Sequence, residues 1–320
     1  MDLNYYTKRW IMKEPFIIAG ETYNHLDVVI VTLTDKNGMM GQAEACGVDY
    51  LGETTSSIIS GIERVKRHIT PNITTEALQE LMPTGGARNA MDCALWDLRA
   101  NQQRESLYTL TDIPKTKKIR TVFTIGIVEP KRAAELAFYR SNFRSLKVKA
   151  GSDGSLNNLR AIRETRPDAN IIVDANRSWT PELFERIEPE LVNLNVAMLE
   201  QPFEVGQDES LLDYRGALKL CADESVQVTD DLHAIGGKYH AVNIKLDKTG
   251  GLTEAIHLAH TAQSAGYELM VGNMCGSSLA MRPALVIAQL CDYVDLDGPL
   301  LQEHDWAPPL KYVGDLIQGG

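Results

Sequence analysis

From about residue 120 onward, short apolar runs alternate with longer amphipathic stretches. The runs are Thr121–Ile127, Ser145–Ala150, Asn170–Asn176, Val196–Gln201, Lys219–Glu224, Ala241–Leu246, Glu268–Gly272 and Tyr293–Asp297. Eight strand-length runs at helix-sized intervals predict a parallel sheet closed into a barrel. The first 110 residues follow another rhythm. Asp27–Thr34 is β-branched and apolar, Asp35-Lys-Asn-Gly38 has turn chemistry, and Gly41–Cys46 reads as the returning strand of a hairpin. Helical periodicity covers 54–68 and 75–82. In 87–98 it brings Ala87, Ala90, Ala94 and Leu98 to one face, which predicts a helix packed closely on a neighbour. The expected division is an α+β unit over 1–115, a barrel over 116–299, and a tail over 300–320, irregular at Asp305–Pro309, that returns to the first unit.

A chain of 320 residues with 44% hydrophobic and 23% charged positions can bury a substantial core. Its net charge of −11 argues against nucleic acid or an anionic membrane as partner. The five cysteines form no Cys-x-x-Cys pair, which predicts reduced thiols in a cytoplasmic protein rather than a disulfide framework or zinc site. The first residues lack the order of a signal peptide, and no apolar run is long enough to span a bilayer. No Gly-x-Gly-x-x-Gly or Walker-type loop follows a strand, which weakens a dinucleotide or ATP reading. Self-association is left open.

Ionisable residues close successive runs: Lys149, Asp174, Glu200, Asp223, then Lys245, in steps of 22 to 26 residues. Each step is one strand–helix unit, so all five belong to the C-terminal rim of the barrel, where barrel enzymes keep their chemistry. A single carboxylate at a strand end is commonly a helix cap. Three on consecutive strands repel one another unless a cation neutralises them. With no His or Cys among them, a hard ion such as Mg²⁺ is the economical choice. Lys147 and Lys149 share a strand face. An ammonium beside another and near a divalent ion is expected to fall toward neutrality, as a general base requires.

At these residues the chain resembles the enolase superfamily, in its muconate-lactonising-enzyme-like subgroup. The matching motifs are Lys147-Val-Lys149, Val173-Asp174-Ala-Asn176, Leu199-Glu200-Gln-Pro202, Ala222-Asp223-Glu-Ser225 and the run Ile244-Lys245-Leu-Asp-Lys-Thr-Gly-Gly251. Gly86–Asp97 is similar to a helix of the family's capping domain, so the likeness spans the chain. The resemblance implies an α/β fold, a modified (β/α)₇β barrel under an α+β capping domain. It also implies one Mg²⁺ on Asp174, Glu200 and Asp223, Lys149 and Lys245 as the acid–base pair, and an enediolate, with Lys147 near the substrate and Asn176 supporting the ligands.

Asp295-Leu296-Asp297 on the eighth run places two carboxylates on one face, suited to a substrate ammonium. The motif resembles that of dipeptide epimerases, where it grips the α-amino group, and the run Lys245–Glu254 resembles L-Ala-D/L-Glu epimerases. Those enzymes hold the glutamyl carboxylate with an arginine in the loop after the first strand. Ile18–His25 has none, and Glu21 falls near its place. The expectation is therefore a dipeptide whose second residue is not glutamate and is cationic, with Tyr23, Tyr50 or Leu51 as the alternative pocket determinants. Cycloisomerisation and o-succinylbenzoate synthesis share the metal and lysine residues, and a non-catalytic metal-binding barrel is the remaining alternative.

Overall fold

The computed structural model describes residues 1–151 and 155–319. Strands β1 (Asp2–Ile18), β2 (Glu21–Thr34) and β3 (Met40–Ala45) form an antiparallel sheet in sequence order. The expected turn is present: the Gly38 N–H donates to Asp35 O at 3.1 Å. Thr54 and Thr74 cap helices α1 (Thr55–Val65) and α2 (Thr75–Leu81), each accepting a backbone N–H of its first turn. Helix α3 (Gly86–Gln103) lays its small-residue face on β2 and β3, followed by the one-turn α4 (Leu107–Leu110). Gly41 permits that approach, since a Cβ there would stand 2.2 Å from Ala94 O.

All eight expected barrel strands form: β4 (Phe123–Ile125), β5 (Ser145–Lys149), β6 (Asn170–Asp174), β7 (Val196–Glu200), β8 (Lys219–Ala222), β9 (Ala241–Ile244), β10 (Glu268–Val271) and β11 (Tyr293–Val294). They pair in parallel in sequence order. The ring closes where the Val122 N–H donates to Val294 O at 3.0 Å. Helices α5 (Pro130–Tyr139), α6 (Ser155–Thr165), α7 (Pro181–Asn193), α8 (Leu246–Thr249), α9 (Leu252–Ser264) and α10 (Ser278–Ala288) fill most intervals. Those after β7 and β8 hold only 3₁₀ turns at Glu209–Asp213 and Thr229–His233. Pro202, Gly206 and Gly216 interrupt the first of these, and Gly236-Gly237 the second, so the expected alternation of strands and helices is broken there.

Beyond α11 (Gly298–Leu301) the tail touches β1, with the Glu303 N–H donating to Ile11 O at 2.9 Å. Its hairpin, β12 (Lys311–Val313) and β13 (Leu316–Gln318), then pairs with residues 119–121 ahead of β4. Strand β1 is the longest of the elements that the hydrophobic pattern left unassigned, which also include α4, α11 and the β12–β13 hairpin. Most of its side chains are exposed or half-buried, so it carries no sustained apolar signal.

Candidate active site

The inward face of the barrel is stacked in layers. Ile172, Met198, Cys221, Ala241 and Met270 belong to one apolar cluster with Val122. Two residues further along each strand, on the same face, stand Asp174, Glu200, Asp223, Asn243 and Gly272. The pleat thus carries an apolar plug directly into a charged layer. Gly272 leaves room in that layer, because a Cβ there would lie 2.6 Å from Asn243 Oδ1.

Asp174, Glu200 and Asp223 are wholly buried and each offers an oxygen within 4.8 Å of the others. Lys147 Nζ reaches Asp174 (3.0 Å), Glu200 (2.8 Å) and Asp295 (2.9 Å). Lys149 Nζ donates to Asp174 Oδ2 (2.7 Å) and to Asn176 Oδ1 (3.1 Å). Lys245 Nζ donates to Asp223 Oδ2 (2.6 Å). Lys149 closes β5 and Lys245 follows β9, four strands apart in a ring of eight, so they face each other across the trio carried by the three strands between.

Burial raises all three carboxylates, but the outcome differs with the neighbours. The ammonium groups of Lys147 and Lys149 outweigh it at Asp174, and those of Lys245, Lys248 and Lys147 outweigh it at Asp223, so both fall below the usual range. Glu200 is pushed up to about 8 by burial and the adjacent Asp174. Burial lowers Lys245, yet Asp223, Glu200 and Glu224 prevail and hold it above the usual lysine range. The fall toward neutrality is the expectation for the Lys147 and Lys149 pair beside a divalent ion. Burial does lower Lys147, but Asp174, Asp295 and Glu200 prevail and hold it above the usual lysine range.

The trio fits a divalent cation. Glu200 Oε2 and Asp223 Oδ1 are buried with no hydrogen-bond partner among the described residues, although ammonium nitrogens lie at 2.8 and 2.7 Å outside hydrogen-bonding geometry. The donors are all oxygens, the set a hard ion takes.

Above this layer lies a cavity of about 570 Å³, roofed by Met12, Phe16, Ile18 and Leu26 of the β1–β2 hairpin. Lys149 and Lys245 line it, as do Asn176, Glu21 and Tyr50, whereas the trio, Lys147, Asp295 and Asp297 do not. Glu21 is exposed at the start of β2. Tyr50 Oη accepts from Gln227 Nε2 at 2.9 Å, and burial pushes its phenol up. Leu51 is 63% exposed and is not among the lining residues.

The Asp295/Asp297 expectation needs one correction, because β11 ends at Val294 and both residues lie beyond it. The inward alternation nevertheless outlasts the strand, with Leu296 buried in the main core. Asp295 is engaged by Lys147, and the Asn273 amide donates to its backbone carbonyl at 2.6 Å. Asp297 Oδ2 accepts the Thr124 N–H at 2.6 Å, and burial together with Asp295 pushes it up to about 8.

Four residues were missed in the sequence. Asn243 donates to Glu200 Oε1 at 2.8 Å, and its position two before Lys245 was a usable signal. Lys248, fully buried, donates to Val226 O (2.8 Å) and Asn243 O (2.9 Å) and stands beside Asp223. Gln201 Oε1 accepts the N–H groups of Asp223 (3.0 Å) and Ser225 (3.1 Å). Arg177 lines the cavity, and nothing in its spacing marks it.

Comparison with known proteins agrees with this architecture. Residues 1–111 match the mandelate racemase / muconate lactonizing enzyme N-terminal domain, and residues 130–311 match the enolase C-terminal domain-like family. The L-Ala-D/L-Glu epimerase of Escherichia coli is 38% identical over 96% of both chains. An enolase family member from Agrobacterium tumefaciens with homology to dipeptide epimerases, solved with sodium and L-Ala-L-Glu, superposes with a TM-score of 0.96. It is 36% identical, over 99% of this chain and 97% of that one. The dipeptide epimerase of Methylococcus capsulatus, complexed with Mg and L-Arg-D-Lys, gives 0.89 at 27% identity, over 99% and 96%. With both of its domains matched, the chain belongs to the mandelate racemase / muconate lactonizing enzyme group of the enolase superfamily.

Proposed function

We propose that this protein is a Mg²⁺-dependent dipeptide epimerase, an isomerase that inverts the α-carbon of the C-terminal residue by proton transfer between two lysines. The observation that carries this is the placement of Lys149 and Lys245, opposed across the barrel and both on the cavity wall. Two proton-bearing groups on opposite sides of one carbon are what inversion requires. Asp174, Glu200 and Asp223 would hold the ion, which supplies a Lewis acid for the negative charge that grows on the substrate carboxylate. Lys149 and Lys245 exchange roles with substrate hand, one taking the proton from Cα and the other returning one from the opposite face. Lys147 and Asn243 steady Glu200, and Asn176 steadies Lys149. The cavity roof excludes water from the carbanionic centre. The resemblance of the Asp-Leu-Asp motif assigns Asp295 and Asp297 to the substrate ammonium; they lie behind the cavity wall, held by Lys147 and by the Thr124 N–H.

Related proteins named for dipeptide epimerisation support the reading, and they include both glutamyl and Arg-Lys ligands. The relatives therefore leave the side chain undecided. Glu21, the basis for expecting a cationic residue, is solvated at the rim and selects weakly; the choice falls to groups deeper in the cavity. The unpaired thiols are those of a protein working in the cytoplasm. A panel of dipeptides incubated in D₂O with Mg²⁺ tests the proposal: deuterium should enter the α-position of the second residue. Failure of every dipeptide to exchange would sink it and return the cycloisomerase or synthase readings.

A further inference from the structure

The cavity holds three cations, and the proton transfer uses only Lys149 and Lys245. The third, Arg177, follows Asn176 in the turn after β6. Both residues have positive φ, 43° and 65°, which non-glycine side chains adopt only when their surroundings hold them there. The turn is held by the Arg177 N–H donating to Gln201 O at 2.8 Å. Its guanidinium is delivered to the Tyr50 ring, 4.8 Å from the centroid. The stacked face and the turn together fix a charge that cannot be titrated away.

The carboxylates around Arg177 do not saturate it. Its Nε lies 3.2 Å from Glu224 and its Nη1 3.4 and 3.5 Å from Glu204. Charge-assisted bonds normally run about 2.7–2.9 Å. The Glu204 side chain is 61% exposed against 25% for Arg177, so that pair contributes little and is replaceable. Of the three carboxylates that line the cavity, Glu224 is buried and already bonded to Arg177, and the other two compare poorly. Asp49 already accepts from the Tyr23 hydroxyl and from the Tyr50 N–H (2.7 Å), and Glu21 is solvated. Glu224 is engaged at Nε alone, so the Nη end of Arg177, paired with the exposed Glu204, is what an entering carboxylate can meet.

We propose that Arg177 is the specificity-determining residue of this cavity, exchanging Glu204 for a carboxylate on the side chain of the epimerised residue. The preferred substrate is then a dipeptide with an acidic second residue, the reverse of the cationic choice suggested by Glu21. This rests on the epimerase reading.

The test measures α-deuterium uptake for L-Ala-L-Glu, its neutral isostere L-Ala-L-Gln, and L-Ala-L-Lys. The wild-type enzyme should favour Glu over Gln by about tenfold or more in kcat/KM, expressed mainly in KM. Arg177→Gln should bring that ratio close to one. Arg177→Glu should reverse the preference between the glutamyl and lysyl dipeptides, a gain that a misfolded variant cannot show. A wild-type Glu/Gln ratio near one, or a ratio unchanged in Arg177→Gln, overturns the proposal. If other dipeptides exchange and these three do not, the Arg177 assignment alone fails; if no dipeptide exchanges, the epimerase reading fails with it.

Discussion

Lys149 and Lys245 are each tied to one end of the carboxylate trio, yet their surroundings differ. Lys149 is shared between Asp174 and Asn176, while Lys245 donates to Asp223 alone among the described residues. On the proposed mechanism each faces one side of the substrate carbon, so losing either should stop epimerisation without ending proton exchange altogether. Lys149→Ala and Lys245→Ala should each lower epimerisation by about 10²–10⁴-fold. Each variant should still exchange the α-proton of one enantiomer, the opposite one in the two cases, as read by mass spectrometry in D₂O. Asn243 makes a separate prediction. Removing the amide that orients Glu200 should weaken Mg²⁺ binding by about 10–100-fold in Asn243→Ala, measured by calorimetry without substrate. The trio and the two lysines were legible because strand period and repeat length together fix which residues reach the rim. Arg177 was not, because its position depends on a left-handed turn that no hydrophobic pattern records.

At the scale of elements, the fold was most readable where burial is one-sided or complete. All eight barrel strands are nearly continuous apolar runs, and α3 shows its small face openly. Strand β1 went unseen because it lies at the edge of a three-stranded sheet, largely in solvent. The missing helices after β7 and β8 show the opposite error, spacing alone being read as a helix. The contact between α3 and β3 can be tested directly. Gly41→Val would force a side chain onto the Ala94 carbonyl and the Leu98 amide, each 2.2 Å from the new Cβ. Such overpacking should cost about 1–3 kcal/mol or more, seen as a lower urea midpoint with an unchanged slope.

Across the whole molecule, the first unit is fastened to the barrel through buried acids, a feature that the sequence hides because each carboxylate is buried by distant segments. Glu44 of β3 accepts the Ser277 N–H at 2.7 Å and also bonds the Ser277 hydroxyl. Asp92 of α3 accepts from Thr253, at 3.0 Å from its N–H and 2.6 Å from its hydroxyl. Asp247 of α8 accepts the N–H groups of Cys46 (3.0 Å) and Gly47 (2.9 Å). Burial outweighs these bonds and pushes Glu44 up to about 7, and Asp92 and Asp247 up to about 6. For an acid raised on folding, the unfolded chain loses its proton first. Between the ordinary value of 4.5 and about 7, folded Glu44 therefore binds more protons than the unfolded chain, and its contribution to stability falls as pH rises through that window. Above about 7 both states are ionised and the loss is complete, at most about 3 kcal/mol for a shift of this size. Glu44→Gln removes the titration, although its amide cannot accept from both Ser277 donors as the carboxylate does. The quantity to compare is therefore the slope of unfolding free energy against pH, not its level. From pH 5 to 7 the variant should lose stability less steeply than the wild-type protein. Parallel slopes would show that Glu44 stays ionised in the fold, held by Ser277 and by Trp10, whose indole N–H lies 3.3 Å away.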